Sequence, residues 1–267
     1  MSLTLRNTKE LINPATYKMK LLIASLPGTG KTEFVGTVPN VGIAACETGQ
    51  GKGLLTIASR GIPFVEPDTY KELESFCSGD IYKECSALAI DSLSAMVRTF
   101  ITAYAIKNFP RSRGETAKRN AGILELDDYN TLGEVTRRLL AKFIALDKHI
   151  IVTTTLKLPE EARPEEGRVA KPAMPDLPGQ LALASSAMFD VALILRTRPA
   201  LRDPKDAKSR YTQRYFMTQG SESWVAKSRL ALSGKPILAE EEIFDLETGA
   251  GSFPFLLEKI LKGYATA

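Results

Sequence analysis

The residues with the clearest chemical potential form one short run, Ser25-Leu26-Pro27-Gly28-Thr29-Gly30-Lys31-Thr32. The run matches the phosphate-loop pattern G-x-x-x-x-G-K-S/T, with Ser25 at the position of the first glycine. In such a loop, successive backbone N–H groups face phosphate oxygens, so glycine is needed where a side chain would block the approach. Lys31 supplies a charge for the β- and γ-phosphates and Thr32 a hydroxyl for Mg²⁺. The pattern predicts a nucleoside triphosphate site formed by Ser25, Pro27, Gly28, Thr29, Gly30, Lys31 and Thr32.

Two acidic residues at the ends of apolar runs could complete this site. Asp91 follows the apolar run 86–90, at the strand end where α/β sheets place ligands, and is predicted to hold Mg²⁺; capping of the next helix is the alternative. The next residue is Ser92 and not glutamate, so the catalytic base must come from elsewhere. Glu47, the first residue after the apolar run 41–46, is predicted to orient the attacking water; a solvated turn residue is the alternative.

The elements that must position these residues are visible as short apolar runs alternating with helix-like stretches. Strands are predicted at 20–25, 41–46, 86–90 and 149–155, and helices at 31–37, 69–77, 92–108 and 128–146. The strands are nearly continuous in apolar or β-branched residues, as strands covered on both faces must be. This alternation predicts an α/β fold, a mostly parallel sheet with helices on both faces.

The pattern changes after residue 155. Short strands are predicted at 188–197, 214–218 and 223–227, added antiparallel to the same sheet, with an acidic turn at 240–242 and a short helix after Ser252. We therefore expect one domain over residues 1–267, with an N-terminal extension at 1–18 and a C-terminal tail at 231–267. The lone His149 begins a strand and is predicted to be a capping or core residue.

Composition excludes several classes of protein. The chain is 44% hydrophobic and 25% charged, as is typical of a soluble globular protein, and it has no apolar run of membrane-spanning length and no signal-peptide pattern. Its three cysteines lack the CxxC spacing of a zinc site and fit a reducing compartment, so we expect a cytoplasmic protein with no membrane partner. The net charge of +4 is too small to indicate a nucleic-acid partner.

The segment Ile90-Asp91-Ser92-Leu93-Ser94-Ala95-Met96 is similar to a segment of RecA-type recombinases, and the layout agrees over about residues 18–230. The resemblance implies that Glu47 is the catalytic acid. It also implies a γ-phosphate sensor at the end of the fourth strand, where Thr155 replaces the usual glutamine or histidine. Trp224-Val225-Ala226-Lys227-Ser228-Arg229 resembles the strand whose two cations reach the ATP of a neighbouring subunit. Lys227 and Arg229 are the implied pair; cations guarding a sheet edge are the alternative.

The same resemblance implies a DNA-facing loop after the helix that follows Asp91. Its basic and aromatic residues could neutralise phosphates and stack on a base, and a solvated connection is the alternative. The implied DNA-binding residues are Lys107, Phe109, Arg111, Arg113, Lys118 and Arg119. A second segment, 157–171, is nearly charge-balanced, so its composition alone does not indicate DNA binding.

The chain resembles phage-encoded, core-only RecA-like ATPases of recombination and single-strand annealing. The implied function is hydrolysis of ATP with Mg²⁺ on single-stranded DNA, in a ring or filament of copies of the chain, in the host cytoplasm if it is phage-encoded. A single-strand DNA-binding or annealing protein is a further implied partner. Two alternatives remain open: a P-loop nucleotide or small-molecule kinase, and a nonenzymatic, nucleotide-controlled loader or scaffold.

Overall fold

A computed structural model describes residues 13, 16–47, 51–108, 126–161, 170–203, 205–206, 208–223, 225–232 and 235–265. Within these ranges, no helix combines the length and the apolar character needed to cross a bilayer.

A large mixed sheet forms the centre of the fold, in the order β12-β8-β7-β1-β5-β4-β2-β3, with β6 paired to β5 and β9 to β7. The six strands from β7 to β3 in this order are parallel, whereas β6, β8, β9 and β12 pair antiparallel. The strands are β1 (Lys20–Ser25), β2 (Val41–Ala45), β3 (Phe64–Val65), β4 (Ala87–Asp91), β5 (His149–Lys157), β6 (Met174–Pro175), β7 (Val191–Leu201), β8 (Arg210–Met217), β9 (Lys227–Ser228) and β12 (Glu241–Phe244), with a separate pair β10 (Ala231–Leu232) and β11 (Lys235–Pro236).

The helices follow the strands in alternation through the first half of the chain. They are α1 (Lys31–Val35), a 3₁₀ helix (Lys52–Arg60), α2 (Tyr70–Cys77), α3 (Leu93–Met96), a π-helical segment (Val97–Ile101), α4 (Thr102–Asn108), α5 (Leu126–Ile144), α6 (Leu181–Met188) and α7 (Phe253–Ala265). Thr69 begins α2 with a capping box, because its side chain accepts from the Glu72 N–H while the Glu72 carboxylate accepts from the Thr69 N–H.

Two apolar clusters cover the two faces of the sheet. In β1, Leu21 and Ile23 pack into one cluster with α1 and α7, and Leu22 packs into the other with α2, α3 and α5. Strand side chains alternate between faces, so a central strand buried on both sides must be apolar at nearly every position. The predicted fold class is confirmed: an α/β architecture with a mostly parallel sheet and antiparallel strands near the C-terminus.

Three predictions about individual segments were wrong. Met188 ends α6 and does not begin a strand, and the predicted strand 223–227 is reduced to β9. The predicted acidic turn at 240–242 contains the start of β12. Strand alternation points the side chain of Glu242 inward, and only 6% of the residue is exposed. Glu242 is stabilised there because Lys259 of α7 forms an ion pair with it and the Ala239 N–H donates to it.

Candidate functional site

The phosphate-loop residues lie in the turn between the end of β1 and the start of α1, as predicted. Gly28 has φ 75° and Gly30 has φ 107°, a region that side-chain-bearing residues rarely adopt. At Gly28 a Cβ would meet nothing within 4 Å, so the backbone angle and not space requires glycine there. Turns with residues in this left-handed region are among those that can present successive backbone amides to an anion.

Lys31 is folded against the loop that precedes it. Its ammonium group donates to the Ser25 hydroxyl at 3.0 Å and lies 3.3 Å from the carbonyl oxygens of Ser25 and Leu26. The Ser25 hydroxyl also accepts from the Thr29 hydroxyl at 2.5 Å. Burial lowers the pKa of Lys31, and the carboxylates of Asp91 and Glu47 oppose that shift. Ser25 therefore links β1, Thr29 and Lys31, which glycine at this position could not do.

Asp91 lies at the end of β4, next to β5 and opposite the start of α1. Its Oδ2 accepts from the Thr32 hydroxyl at 2.7 Å and its Oδ1 accepts from the Thr153 hydroxyl at 2.5 Å. The residue is 5% exposed. Because each carboxylate oxygen has a partner, the side chain is held toward the phosphate loop.

Hydroxyl and carboxylate oxygens are the ligands that Mg²⁺ prefers, and Mg²⁺ usually takes only one or two protein carboxylates together with phosphates and water. Thr32 and Asp91 already lie within hydrogen-bonding distance of each other beside the phosphate loop. The described part of the chain holds no group of three or more His, Cys, Asp or Glu able to hold a metal. The donors present therefore fit an ion brought by a nucleotide.

Glu47 follows β2 at the same edge of the sheet. Its Oε1 accepts a hydrogen bond from the Ser92 hydroxyl at 3.3 Å, and Ser92 itself is 1% exposed. Glu47 lines a cavity of about 270 Å³ together with Lys31, Thr32, Asp91 and Thr155. The structure thus brings the predicted phosphate-binding, metal-binding and base residues to one cavity.

Thr155, the residue at the predicted sensor position, lies in β5 two positions after Thr153. Its N–H donates to the Ser94 hydroxyl at 3.1 Å, and Ser94 also shares a hydrogen bond of 2.8 Å with the Thr154 hydroxyl. Ser94 belongs to α3, so these bonds fix the end of β5 against the segment that follows Asp91. A hydroxyl at this position can bond to phosphate but has a shorter reach than glutamine or histidine.

Lys227 and Arg229 converge on one atom. The Lys227 ammonium donates to the Ala187 carbonyl at 2.8 Å, and the Arg229 guanidinium donates to the same oxygen. This carbonyl lies in the last turn of α6. β9 pairs with the start of β7, at the level of Leu22 in β1, whereas the phosphate loop follows the opposite end of β1.

The predicted DNA-binding residues are only partly described. Lys107 is exposed in the last turn of α4. Phe109, Arg111, Arg113, Lys118 and Arg119 lie outside the described residues. In the second segment, Glu160 forms ion pairs with Lys157 at 2.6 Å and with Lys171 at 3.1 Å. Hydrogen bonds from these two lysines lower the pKa of Glu160 to about 2. Residues 162–169 lie outside the described ranges.

Sequence reasoning missed two residues that hold the site together, Thr153 and Ser92. The register of the folded sheet explains the position of Thr153. β4 and β5 are neighbouring parallel strands in which Ile90 pairs with Val152, so the next residues, Asp91 and Thr153, lie side by side. Ser92 was noted only for not being glutamate, although its hydroxyl bonds to Glu47.

Comparison with known proteins places the chain in a family. A family model described as an AAA domain matches residues 17–230. Solved structures that match include the flagellar accessory protein FlaH from Methanocaldococcus jannaschii, which is 13% identical with a TM-score of 0.41 over 85% of each chain. A search of curated proteins found no match.

The chain belongs to this AAA-domain family, whose model covers most of its length. The phosphate-loop strand β1 lies between β5 and β7. The family match supports the predicted RecA-like P-loop ATPase.

Proposed function

We propose that this RecA-like ATPase hydrolyses ATP at the β1–α1 loop, with Mg²⁺, in copies of the chain assembled on single-stranded DNA. The observation that carries the hydrolytic part is the cavity shared by Lys31, Thr32, Glu47, Asp91 and Thr155. A cation, a metal-binding pair and a carboxylate base around one phosphate-sized cavity are the components that phosphoryl transfer to water requires.

Each residue has a separate task in this proposal. Lys31 exchanges its bonds to Ser25 and Leu26 for phosphate oxygens, and the loop amides bind the same phosphates. Thr32 and Asp91 hold Mg²⁺, which when bound offsets the charge of the phosphates. Glu47 accepts a hydrogen bond from the attacking water and orients it, with its carboxylate steadied by Ser92.

The location of Lys227 and Arg229 supports an assembly. Leu22, at the level of β9, precedes Ser25, the first residue of the phosphate loop, by three residues, which is roughly 10 Å along a strand. The two cations therefore lie toward the end of the sheet that is opposite the phosphate loop of their own chain. In the proposed assembly they approach the nucleotide of a neighbouring copy, which makes hydrolysis depend on assembly.

The DNA part of the proposal rests on charge. Lys107 is exposed at the end of α4, and the sequence that follows it carries Arg111, Arg113, Lys118 and Arg119 with Phe109 among them. Arginine and lysine neutralise phosphates, and an aromatic ring can stack on an unpaired base. A role in recombination, repair or strand annealing follows from this proposed substrate.

Steady-state ATP turnover with and without single-stranded DNA at low salt tests the proposal. We expect DNA to stimulate turnover, and Lys31→Ala and Glu47→Gln each to abolish it. Arg138→Ala is the matched control, because Arg138 is an exposed arginine paired with Glu134 on α5, away from the cavity. ATP turnover that DNA leaves unchanged would contradict the DNA part and leave the ATPase part standing.

Mixing two inactive variants tests the assembly. Glu47→Gln and Arg229→Ala each lack one half of the proposed composite site, so a mixture contains some interfaces with both residues intact. Partial recovery of turnover on mixing is expected, and no recovery would contradict the intersubunit role. Electron microscopy with ATP and DNA then distinguishes a ring from a filament.

One observation favours a nucleotide-controlled scaffold as a second candidate. Ser25 holds the Lys31 ammonium on the loop, and a lysine retained there would stabilise the phosphates of the transition state less well. ATP that stays bound and unhydrolysed for hours on DNA would favour the scaffold, and turnover that rises in Ser25→Gly would identify the cause.

A further inference from the structure

Arg214 lies directly against the phosphate loop, although nothing in the sequence pattern singles it out. It belongs to β8, and its guanidinium occupies the space beside Gly30. A Cβ built on Gly30 would lie 3.1 Å from Arg214 Cζ and 3.2 Å from Arg214 Nε. Two features therefore favour glycine at position 30: its φ of 107° and the guanidinium packed against it.

Glu33 holds the guanidinium in this place. Arg214 Nη1 donates to Glu33 Oε2 in a close ion pair, and the two side chains are 30% and 23% exposed. Glu33 comes two residues after Lys31, in α1. The pair thus joins the segment that follows the phosphate loop to β8, and it is only partly open to solvent.

The pair stands between two cavities. Glu33 lines the phosphate cavity of about 270 Å³ and also a neighbouring groove of about 540 Å³. Arg214 lines the groove, together with Thr212, Gln213 and Leu246. Ligand pockets usually measure ~300–1,000 Å³, so the first cavity is small for a whole nucleotide. A nucleotide whose phosphates lie in the loop must extend past the walls of this cavity, and the groove lies beside it, with Glu33 lining both.

The charges of the pair have opposite consequences for a polyphosphate. A glutamate facing the phosphates repels them, whereas a guanidinium attracts them with a planar set of donors that matches phosphate oxygens. Nη1 is the donor engaged by Glu33, and a guanidinium carries five N–H donors in all. Glu33 and a phosphate group would therefore compete for the same cation.

We infer that Arg214 is a nucleotide-binding residue. Its guanidinium breaks the ion pair with Glu33 and binds the phosphate chain of the nucleotide instead. Glu33 then acts as the competitor that occupies Arg214 while the loop holds no nucleotide. This inference rests on the proposed function, because it needs a nucleotide in the loop. It adds a cation supplied by the same chain, distinct from Lys31 and from the pair Lys227 and Arg229.

Calorimetric titration of Mg²⁺–ADP and of a nonhydrolysable ATP analogue into the full chain tests the inference. Loss of a charged hydrogen bond weakens binding by roughly tenfold to a hundredfold, which we expect for Arg214→Ala. Arg214→Lys keeps the charge without the planar donor set and is expected to fall between the wild type and Arg214→Ala. Arg138→Ala, which removes an exposed arginine–glutamate pair on α5, is expected to bind as the wild type does.

Glu33→Gln separates this role from a purely structural one. If Glu33 competes with the nucleotide, Glu33→Gln tightens binding while Arg214→Ala weakens it. If the pair only fastens α1 to β8, both variants lower the melting temperature alike and neither changes affinity, which would overturn the inference. In the Arg214→Ala background, Glu33→Gln should give a smaller gain than in the wild type; an equal gain would mean that Glu33 acts independently of Arg214 and would also overturn it.

Inorganic tripolyphosphate identifies the group that Arg214 contacts. A contact with the phosphate chain predicts that Arg214→Ala weakens tripolyphosphate and nucleotide binding alike. Weaker nucleotide binding with unchanged tripolyphosphate binding would overturn the assignment to phosphate. A wild-type chain that binds neither ligand refutes the proposed function as a whole, whereas tight wild-type binding with unaltered variants refutes only the role of Arg214.

Discussion

The Ser92 hydroxyl donates a hydrogen bond to Glu47 Oε1 at 3.3 Å, so the residue that follows Asp91, the proposed metal ligand, steadies the proposed base. We expect Ser92→Ala to lower kcat for ATP on the order of tenfold with KM unchanged, because the lost bond orients a carboxylate that acts in the chemical step. Steady-state kinetics measures both constants. Ser86→Ala, at the other end of the same strand, is the matched control. A raised KM with normal kcat would place Ser92 in nucleotide binding instead.

Thr153 donates a hydrogen bond to the buried Asp91 carboxylate. Thr153→Val keeps the shape but leaves Oδ1 without this partner, so we expect the free energy of unfolding to fall by about 1.5–3 kcal/mol. Urea denaturation measures the change.

Thr136→Val is the control for Thr153→Val, since the buried Thr136 hydroxyl donates to the neutral Leu132 carbonyl. It should cost only about 0.5–1.5 kcal/mol. Equal losses in the two variants would show that the charge of Asp91 adds nothing to the Thr153 bond.

His149 makes stability depend on pH. Its Nδ1 accepts from the Met19 N–H at 3.0 Å, and burial, with smaller contributions from Lys18 and Lys20, lowers its pKa to about 4. In the unfolded chain the pKa is about 6.5, so as pH falls below that value the unfolded state gains a proton that the folded state does not bind until pH nears 4. The free energy of unfolding should therefore decrease as pH falls through this window.

Urea denaturation at several pH values compares the wild type with His149→Gln, whose side chain does not titrate. The difference in unfolding free energy between the two proteins should change between pH 6.5 and pH 4 and should be constant above pH 6.5. A constant difference throughout would rule out His149 as the titrating group.

Gly251 is packed against the backbone of β12. It has φ 64°, and a Cβ there would lie 2.2 Å from the Ile243 carbonyl oxygen. Gly249 has φ 74° but nothing within 4 Å of such a Cβ. Gly249→Ala should cost about 1 kcal/mol for the backbone angle alone, and Gly251→Ala about 3 kcal/mol or more because the contact adds to it. Thermal or urea unfolding of both variants measures the difference, and equal losses would contradict the role of the contact.

Much of the fold was predictable from the sequence because its parallel strands are covered on both faces. The apolar runs at 20–25 and 149–155 correspond to β1 and β5, with β1 bounded as predicted and β5 two residues longer. β12 was missed because one of its two inward residues, Glu242, is a glutamate, whose burial depends on Lys259 in a distant helix. A charged strand residue of this kind has no local signal.

The sequence by itself determined the phosphate loop and the positions of Asp91 and Glu47, since each depends on a local pattern: a glycine-containing turn, or a polar residue at the end of an apolar run. Only the tertiary structure decided their partners. The Ser92 bond to Glu47, the Thr153 bond to Asp91 and the Arg214 pair with Glu33 join residues 45, 62 and 181 positions apart. Such contacts arise from strand order and register, because the chemistry of a site depends on distances in space that local patterns do not encode.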